Sequence, residues 1–528
     1  MKKNRLLLPS SLIFISITLL GYIGFSCNSG TRNNTSQEVS KPERLRVSHI
    51  NPHLLETVTG KPVFLNNYTL WFLLRNGKRE DIPELFDFCK RNKYNMISIM
   101  ILDFADRMDS AGISVYGNFA FEPGAKGLPD PLKPIVTRGN NPEVPGEYDF
   151  WDHLDYIVDM ASTNGIYISL HPAWGDWFSG SYNGEQPGDP VIFNESNAYK
   201  YGYWLGKRYK DKENVIWMNG GDRSAVYESK TSKGIKEVRD YRPQYRAMAE
   251  GLADGVNGMD VQDGQADYSN ILISFHPRKW TVNSSEWFHN DPWLTFNTIQ
   301  DTPYDQFVSV PHDYNLKPVK PTWLYEGRYE GRITAWGIRY QAYQTVFAGA
   351  FGHTYGGQEM YKFPSNWREM VQLPGSLQMK HLYLIAREMW TDKQFLDSTP
   401  DQELIIGDKG ETKGDGITIG DGDGGSTPST KINGTSDLIT AMRGGDGTWA
   451  LIYTAYGRDI NLDVSRLYSG KLNAYWFNPR NGLWWAEGKE SEEMVPFLKN
   501  LETGKGTCLF DAPGTPGADN DWVLVIKK

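Results

Sequence analysis

Two short stretches of the chain each place a carboxylate directly after an apolar run. The first reads Val215-Ile-Trp-Met-Asn-Gly-Gly-Asp222-Arg223, and the second reads Pro321-Thr-Trp-Leu-Tyr-Glu326-Gly-Arg328. Apolar runs of this length are typical of buried strands, and glycine allows a sharp turn where a strand ends. Two carboxylates at two strand ends would suit glycoside hydrolysis, which uses such a pair.

The two carboxylates can be given different roles. Asp222 is the candidate acid/base and Glu326 the candidate nucleophile, and a retaining mechanism needs them about 5 Å apart. The adjacent Arg223 and Arg328 could hold a carboxylate ionised by charge pairing, which suits a nucleophile. The acid needs a raised pKa, which burial or the charge of Glu326 would supply. The structural alternative for either acid is a helix N-cap or an ion pair with its neighbouring arginine.

Glu330 is a rival nucleophile, four residues after Glu326. If residues 326–330 are helical, the two carboxylates share a face. If the segment is a loop, Glu330 binds sugar or orients Arg328. Because Glu330 lies further from the strand end, Glu326 is the preferred nucleophile.

Histidines and tryptophans near other strand ends are candidates for sugar binding. His171, His276 and His353 each end a predicted strand, so we expect them around one mouth, although a strand-end histidine often only packs. Trp174 and Trp177 are candidate stacking platforms, with loop packing as the alternative. The predicted substrate-binding set is His171, Trp174, Trp177, Arg223, His276, Arg328, Glu330, His353 and Tyr355, with Asp103, Asn297 and Gln300 as secondary candidates.

Strand-like and helix-like segments alternate through most of the chain. Strands are predicted to start near residues 62, 95, 166, 215, 271, 294, 322 and 351, with helices between them. Strict alternation implies parallel strands with helical crossovers. Eight such units predict a (β/α)8 TIM-type barrel, whose catalytic groups lie at the C-terminal strand ends. The alternative is an open doubly wound sheet, which fits less well because no glycine-rich phosphate loop follows the first strand.

The pattern changes after the barrel. Residues 407–434 are rich in Gly, Asp and Thr and are interpreted as a solvated loop, since a calcium site of EF-hand type would need a bidentate Glu. From Leu438 onward, short alternating runs without a helical period predict a small β-sandwich. The predicted domains are therefore a barrel over 44–395 and a β-sandwich over 396–528.

The N-terminus is typical of a targeting segment. Three basic residues precede an apolar stretch from Leu6 to Ile23, and Gly24-Phe-Ser-Cys27 follows. This order resembles a bacterial lipoprotein signal, with residues 1–26 removed, Cys27 lipidated and 27–43 a flexible tether. We therefore expect a periplasmic or cell-surface protein attached to the outer membrane by its lipid alone. The alternative, an uncleaved anchor, fits less well because the apolar span is short.

Composition excludes several other classes. The net charge of −9 is spread without long runs, whereas nucleic-acid binding would want a basic stripe. Cys89 and Cys508 are interpreted as small hydrophobic residues and not as a disulfide. CxxC and HExxH motifs are absent from the sequence, so we expect neither a structural zinc site nor a cofactor. The protein is predicted to act as a monomer.

Four motifs together resemble one enzyme family. They are Trp217-Met-Asn-Gly-Gly-Asp222-Arg223, Ser285-Glu-Trp-Phe-His-Asn-Asp-Pro-Trp293, Tyr325-Glu326-Gly-Arg-Tyr329-Glu330 and Ala350-Phe-Gly-His353-Thr-Tyr355-Gly. The family is glycoside hydrolase family 140, whose known activity is apiosidase. The resemblance covers roughly residues 44–528 and implies a barrel, retaining chemistry and a substrate among the pectic side chains of rhamnogalacturonan II. A related furanoside or uronic-acid linkage is the alternative substrate.

The end of the chain resembles a domain that often accompanies this family. Gly447-Thr-Trp-Ala-Leu-Ile-Tyr453 and Tyr475-Trp-Phe-Asn-Pro-Arg480-Asn-Gly are similar to a β-domain named for collagen binding. Because repeats and an apolar adhesive patch are not evident, the domain is expected to pack against the barrel and not to act as an adhesin. A carbohydrate-binding lipoprotein without catalysis is the competing class, and it would lack an acid pair at retaining distance.

Overall fold

The computed structural model describes residues 41–103, 112–180, 191–230, 236–278, 283–300, 306–411 and 437–528. The predictions for the signal segment, Cys27 and residues 27–40 lie outside these ranges, as does most of the Gly/Asp-rich segment. Among the helices in these ranges, none combines the length and the apolar character needed to cross a membrane.

The predicted barrel is confirmed by a curled parallel sheet with helices packed around it. A three-stranded antiparallel sheet precedes it, and two antiparallel hairpins are inserted between barrel strands. The strands of this region are β1 Leu45–Val47, β2 Leu55–Thr57, β3 Pro62–Val63, β4 Leu65–Thr69, β5 Met96–Met100, β6 Phe121–Pro123, β7 Pro129–Pro134, β8 Tyr167–His171, β9 Val215–Gly220, β10 Val226–Lys230, β11 Lys236–Asp240, β12 Ile273–His276, β13 Asn297–Gln300, β14 Thr322–Glu326 and β15 Gly352–Tyr355.

Eight of these strands, all within the described ranges, form the barrel. Six pair in parallel in the order β12-β9-β8-β5-β4-β15, and β13 pairs in parallel with β14. Backbone hydrogen bonds join the two groups, from Thr295 N to Ile273 O (2.9 Å) and from Phe351 N to Thr322 O (3.1 Å). The ring is therefore continuous, and all C-terminal strand ends open on one mouth.

The first barrel strand begins later than predicted. Pro62 and Val63 pair antiparallel with β2, and the barrel strand starts at Leu65. A proline lacks the N–H that a central ladder needs, so it suits the first position of a short edge strand. The prediction of a barrel strand from residue 62 therefore merged two strands that belong to different sheets.

Helices lie between the barrel strands, as predicted. Asp149 and Asn194 cap two of them through capping boxes, and Gly258 ends another with φ of 74°. The helices are α1 Leu73–Asn76, α2 Asp81–Arg91, α3 Phe150–Thr163, α4 Asp176–Ser179, α5 Glu195–Tyr209, α6 Arg242–Asn257, α7 Ser284–Phe288, α8 Gln306–Tyr314, α9 Ala335–Phe347, α10 Trp367–Met370, α11 Pro374–Tyr383, continued by a π-helical turn Leu384–Glu388, and α12 Asp392–Leu396.

Helices α5 and α6 pack unusually closely through glycine. Gly202 and Gly206 on α5 face Gly251 and Gly255 on α6, and a Cβ at any of them would overlap backbone of the facing helix. Glycine costs helix stability, so its repeated use at this contact indicates that the close approach of the two helices requires it.

The C-terminal part is an antiparallel all-β domain, as predicted. Its main sheet runs β16-β17-β18-β25-β20-β21-β22, with β23 paired to β20, and β19 pairs with β24 in a second layer. The strands are β16 Ser398–Pro400, β17 Ile439–Gly444, β18 Trp449–Thr454, β19 Ile460–Asp463, β20 Gly470–Phe477, β21 Trp484–Ala486, β22 Lys489–Ser491, β23 Leu498–Thr503, β24 Thr507–Phe510 and β25 Trp522–Lys527.

The main sheet of this β-domain is buried on both faces. Along β18, Leu451 and Tyr453 join the core of the barrel, whereas Ala450 and Ile452 belong to a separate core inside the β-domain. Side chains alternate between faces along a strand, so one face packs on the barrel. The contact includes Trp390 and Trp449 stacked at 4.3 Å between ring centroids. It also includes a buried ion pair of Arg339 with Asp521.

Candidate active site

The candidate site lies at the mouth of the barrel, where β9 and β14 end. Asp222 follows the last residue of β9 by two positions, and Glu326 is the last residue of β14. Gly220, Gly221 and Asp222 have successive positive φ values of 76°, 141° and 52°. Such backbone favours glycine, so Asp222 is held in a strained conformation by its surroundings. A side chain at Gly221 would overlap the ring of Trp174.

Glu326 is buried and, among the described residues, accepts hydrogen bonds from four side chains. Oε1 accepts from Trp71 Nε1 (3.1 Å) and from the hydroxyl of Tyr329. Oε2 accepts from His276 Nε2 (2.8 Å) and Gln300 Nε2 (2.8 Å). Donors on both oxygens stabilise the ionised carboxylate. The sequence therefore places a fixed anion at the end of β14.

Glu326 and His276 form a buried ion pair. Burial alone would raise the pKa of Glu326, but the hydrogen bond and charge of His276, followed by the other donors, lower it below its ordinary value. Burial would lower the pKa of His276, but the bond and charge of Glu326, with the charge of Asp222, raise it. His276 Nδ1 also lies 2.9 Å from the carbonyl oxygen of Pro277. Both ring nitrogens face oxygens, so the imidazolium donates on both sides.

Gln300 links the two candidate catalytic carboxylates. Its Nε2 donates to Glu326 Oε2 at 2.8 Å and also to Asp222 Oδ1. Two oxygens that share one amide nitrogen at usual bond lengths lie about 5 Å apart. Asp222 itself is partly exposed. One carboxylate is therefore enclosed and ionised, and the other, at its side, is open to the mouth.

His171 lies beneath the mouth and holds the turn that carries Asp222. Its Nδ1 lies 3.2 Å from the carbonyl oxygen of Gly220, and its Nε2 lies 2.9 Å from the hydroxyl of Tyr325. Burial, followed by the charge of His276, lowers its pKa well below the ordinary value, so the ring is neutral. The prediction that His171 binds sugar is not supported, because the ring is fully buried and both its nitrogens have protein partners.

The last barrel strand turns two predicted site residues away from the mouth. Thr354 faces the barrel interior, where it accepts a hydrogen bond from Asn67 (3.2 Å). Side chains alternate along a strand, so His353 and Tyr355 point to the outer side, toward the helices. His353 is fully buried, and burial lowers its pKa to about 3. The prediction that these two residues line the mouth is therefore wrong.

Glu330 anchors the start of helix α11. Its carboxylate accepts from Tyr355 OH (2.7 Å) and from the backbone N–H groups of Gly375 (2.8 Å) and Ser376 (3.1 Å), at the start of α11. Burial raises its pKa. A carboxylate at a helix N-terminus accepts hydrogen bonds from the free N–H groups and is stabilised by the helix dipole. These contacts give Glu330 a structural role and argue against a sugar-binding or nucleophilic one.

The two predicted stacking platforms are buried. Trp174 packs against the rings of Trp71 and His276, each at 5.3 Å between centroids. Trp177 donates from Nε1 to the carbonyl oxygen of Asp103 (2.8 Å). Neither ring has an exposed face, so both support the loops behind the site and do not offer a surface to a sugar.

The remaining predicted residues lie around the rim or below it. Asp103 pairs with Arg75 and accepts from Gly112 N (2.9 Å), and burial raises its pKa. Arg223 donates to the backbone oxygen of Asp222 (2.9 Å). Arg328 is held through its backbone by Gln341, and Asn297 contacts His289. The positive partner that contacts Glu326 is His276.

Two residues of the site were not predicted from the sequence. Trp71 follows the first barrel strand by two positions, and Tyr329 follows Glu326 by three. Tyr329 is also an acceptor for Trp71 Nε1 (2.8 Å), so the two side chains support each other beside Glu326. Their positions after strand ends were the available signal. Among the described residues, His, Cys, Asp and Glu side chains form no group of three or more that could hold a metal ion.

Comparison with known families and structures identifies relatives for both parts of the chain. A family model described as "Apiosidase-like, catalytic domain" matches residues 49–392. A second, described as "Putative collagen-binding domain of a collagenase", matches residues 429–527. None of the curated proteins searched matches the chain.

Two solved structures resemble nearly the whole chain. One, titled a glycoside hydrolase, has 26% sequence identity and a TM-score of 0.69, and the match covers 92% of this chain and 97% of the other. The other is a glycoside hydrolase family 5 protein from Bacteroides vulgatus ATCC 8482. It has 24% identity and a TM-score of 0.68, with 92% of this chain and 93% of the other covered. The second likeness supports the fold alone.

Proposed function

The chain belongs to the apiosidase-like family and is a glycoside hydrolase, and we propose that it is a retaining enzyme that cleaves an apiosyl linkage in rhamnogalacturonan II. Asp222 is the proposed acid/base and Glu326 the proposed nucleophile. The observation that carries the mechanism is the shared contact of both carboxylates with Gln300 Nε2. Oxygens bound to one nitrogen lie near the 5–5.5 Å separation of retaining enzymes, below the range of inverting ones.

The environments of the two carboxylates support their assignment. Glu326 is buried and its pKa is lowered by its donors, so it is ionised and ready to attack. Asp222 is partly exposed, so it can reach a leaving group and later a water molecule. Groups whose environments differ in this way are suited to opposite roles in acid and nucleophilic catalysis.

The reaction then follows in two steps. In the first, Glu326 attacks the anomeric carbon while Asp222 gives its proton to the glycosidic oxygen, and the C–O bond breaks. In the second, Asp222 takes a proton from water, which attacks the same carbon and releases Glu326. Two inversions give net retention. His276 remains a donor to Glu326 throughout, so the carboxylate regains its ion pair when it leaves.

Substitution of the two carboxylates tests the assignment. Asp222→Ala should lower kcat on the natural substrate by about 10²–10⁴-fold and keep more activity on an aryl glycoside with a good leaving group. Azide should restore that variant and give a glycosyl azide of retained configuration. Glu326→Ala should be nearly inactive on every substrate, and azide should give the inverted product. Loss of activity in both variants without these differences would reject the assigned roles.

Glu330→Gln is the control for the nucleophile. The amide keeps the size of the side chain but removes the charge at the start of α11, so the variant should be less stable and still active. If Glu330→Gln were inactive while Glu326→Ala remained active, the nucleophile would be Glu330.

Product analysis tests the substrate. The wild type should release apiose from rhamnogalacturonan II oligosaccharides, and the configuration of the first product should match the substrate by NMR. Release of another sugar from pectic oligosaccharides would be consistent with the mechanism, but the substrate would then be a different furanoside or uronic-acid linkage. Binding without hydrolysis of any glycoside would reject the enzyme mechanism in favour of a carbohydrate-binding protein.

A further inference from the structure

We propose that Gln300 is a positioning residue that sets the separation of Asp222 and Glu326 and determines which oxygen of Asp222 transfers the proton. This inference rests on the retaining mechanism proposed above. Gln300 is buried, and its single nitrogen donates to one oxygen of each carboxylate. An amide nitrogen has two hydrogens and a fixed planar geometry. Each hydrogen is therefore bonded to one carboxylate, and Asp222 and Glu326 cannot move apart without breaking one of these hydrogen bonds.

The backbone places Gln300 at this point through an irregular strand pairing. Gln300 is the last residue of β13 and pairs with Glu326 of β14, with a register shift between Ile299 and Gln300. A shift of this kind re-aims a side chain at the end of a strand. It brings the amide beside the nucleophile, within reach of Asp222 after β9.

The chemistry fixes the orientation of the amide. Turning it over would place the carbonyl oxygen against two carboxylate oxygens, which is repulsive, so Nε2 must face them. Its Oε1 is buried and has no hydrogen-bond partner among the described residues. An unpaired buried acceptor is unfavourable, so the two bonds made by Nε2 are what hold the side chain in this orientation.

A neutral donor suits this position better than a cation. Two carboxylates about 5 Å apart repel each other when both are ionised, and the amide hydrogens offset part of that repulsion. An arginine or lysine would offset more of it, but its charge would also hold Asp222 ionised and prevent it from acting as an acid. Gln300 therefore orders the pair without removing the ability of Asp222 to take up a proton.

The contact also assigns the proton on Asp222. Because Oδ1 accepts from Gln300, the acid proton resides on Oδ2. In the first step the Oδ2–H bond breaks and the proton passes to the glycosidic oxygen, which keeps the electron pair of the broken C–O bond. In the second step Oδ2 takes a proton from the attacking water. Oδ1 keeps its bond to Gln300 in both steps, so the carboxylate does not rotate between them.

Gln300→Ala tests the inference through the pH profile of kcat/KM, which reports the free enzyme. Glu326 would lose a donor, so its pKa would rise and the acidic limb would move to higher pH. We expect kcat to fall by about 10²-fold, with KM changed by less than about threefold because binding contacts remain.

Two further variants separate positioning from damage to the fold. Gln300→Glu keeps the shape but places a third carboxyl beside the pair, so it should be less active than Gln300→Ala at neutral pH. Thr298→Val is the matched control, because Thr298 lies on the same strand as Gln300. The substitution removes one buried hydrogen bond, from the Thr298 hydroxyl to the carbonyl oxygen of Phe275. That variant should keep both pH limbs of the wild type, even if its melting temperature falls.

The outcomes distinguish this inference from the proposed function. If the wild type retains configuration and Gln300→Ala loses activity with the acidic limb unmoved, Gln300 is only a structural residue and the inference is wrong. If Gln300→Glu is as active as the wild type, the neutral donor is not required, and the inference is again wrong. A wild type that hydrolyses no glycoside, or that inverts configuration, rejects the retaining mechanism and this inference with it.

Discussion

The ion pair between the barrel and the β-domain gives a stability prediction that can be worked from the structure. Arg339 on α9 donates from Nε and Nη2 to the two oxygens of Asp521, both at 2.8 Å. The side chains of Arg339 and Asp521 are 1% and 0% exposed. Asp519 contacts the same guanidinium, but its side chain is 70% exposed. The two aspartates therefore share one partner and differ mainly in burial.

Replacing each aspartate by asparagine removes a charge with little change in size. Breaking a buried pair leaves an uncompensated charge and costs about 3–5 kcal/mol. In Asp521→Asn, Arg339 would keep its contact with Asp519 and a hydrogen bond from Nη1 to Gln378 Oε1 (2.7 Å). We therefore expect a loss of stability at the lower end of this range, about 3 kcal/mol. Asp519→Asn should cost about 0–1 kcal/mol, as exposed pairs do. Asparagine is also suitable at Asp519 because it tolerates the positive φ of 66° found there.

Thermal melting of the two variants, followed by circular dichroism, is the measurement. A change of 1 kcal/mol shifts the melting temperature less in a large folding unit than in a small one, so Asp521→Asn should lower it by roughly 3–6 °C and Asp519→Asn by about 2 °C or less. Equal small shifts for both variants would refute the reasoning, because burial would then add nothing to the pair. Raising the salt concentration should leave the difference between the variants in place, since buried pairs are poorly screened.

Two further predictions concern the helix pair α5–α6 and the ion pair of Glu326 with His276. Gly251→Ala should lower the melting temperature although alanine favours helices, because its Cβ would overlap the carbonyl oxygen of Tyr199 and overpacking costs about 1–3 kcal/mol; an unchanged or higher melting temperature would contradict this. The difference in unfolding free energy between wild type and His276→Gln should be largest between about pH 4.5 and 6.5. Glu326, with a lowered pKa, contributes stability that is lost as pH falls through its folded pKa, and His276, with a raised pKa, contributes stability that is lost as pH rises through its folded pKa. Denaturant unfolding across this range tests it, and a difference independent of pH would contradict it.

The sequence predicted the barrel because its strands are apolar runs separated by amphipathic helices, and both signals are local. It also predicted that Asp222 and Glu326 lie at strand ends, since each follows such a run. The failures came from information that is not local. The strands are buried on both sides, so their sequences do not show which face is inward. For that reason His353 was predicted at the mouth, whereas it faces the helices.

The side chains around Glu326 show a second limit of prediction from the sequence. Trp71 was missed because the first barrel strand was predicted to begin at residue 62, and the residue two positions beyond its true end was not considered. Glu330 lies in the same motif as Glu326, and only the approach of α11 from 45 residues later in the chain gives it a structural role. Contacts of this kind depend on packing between distant segments, which a pattern within one segment does not contain.

Helix α9 connects the β-domain to the segment that follows Glu326. Its Gln341 accepts from the backbone N–H of Arg328 (3.0 Å) and donates to the carbonyl oxygen of the same residue (3.0 Å), two positions after Glu326. Two residues earlier, Arg339 is locked to Asp521 of the β-domain. A rigid helix transmits a displacement at one residue to its neighbours. The β-domain is therefore connected through α9 to the segment that follows Glu326.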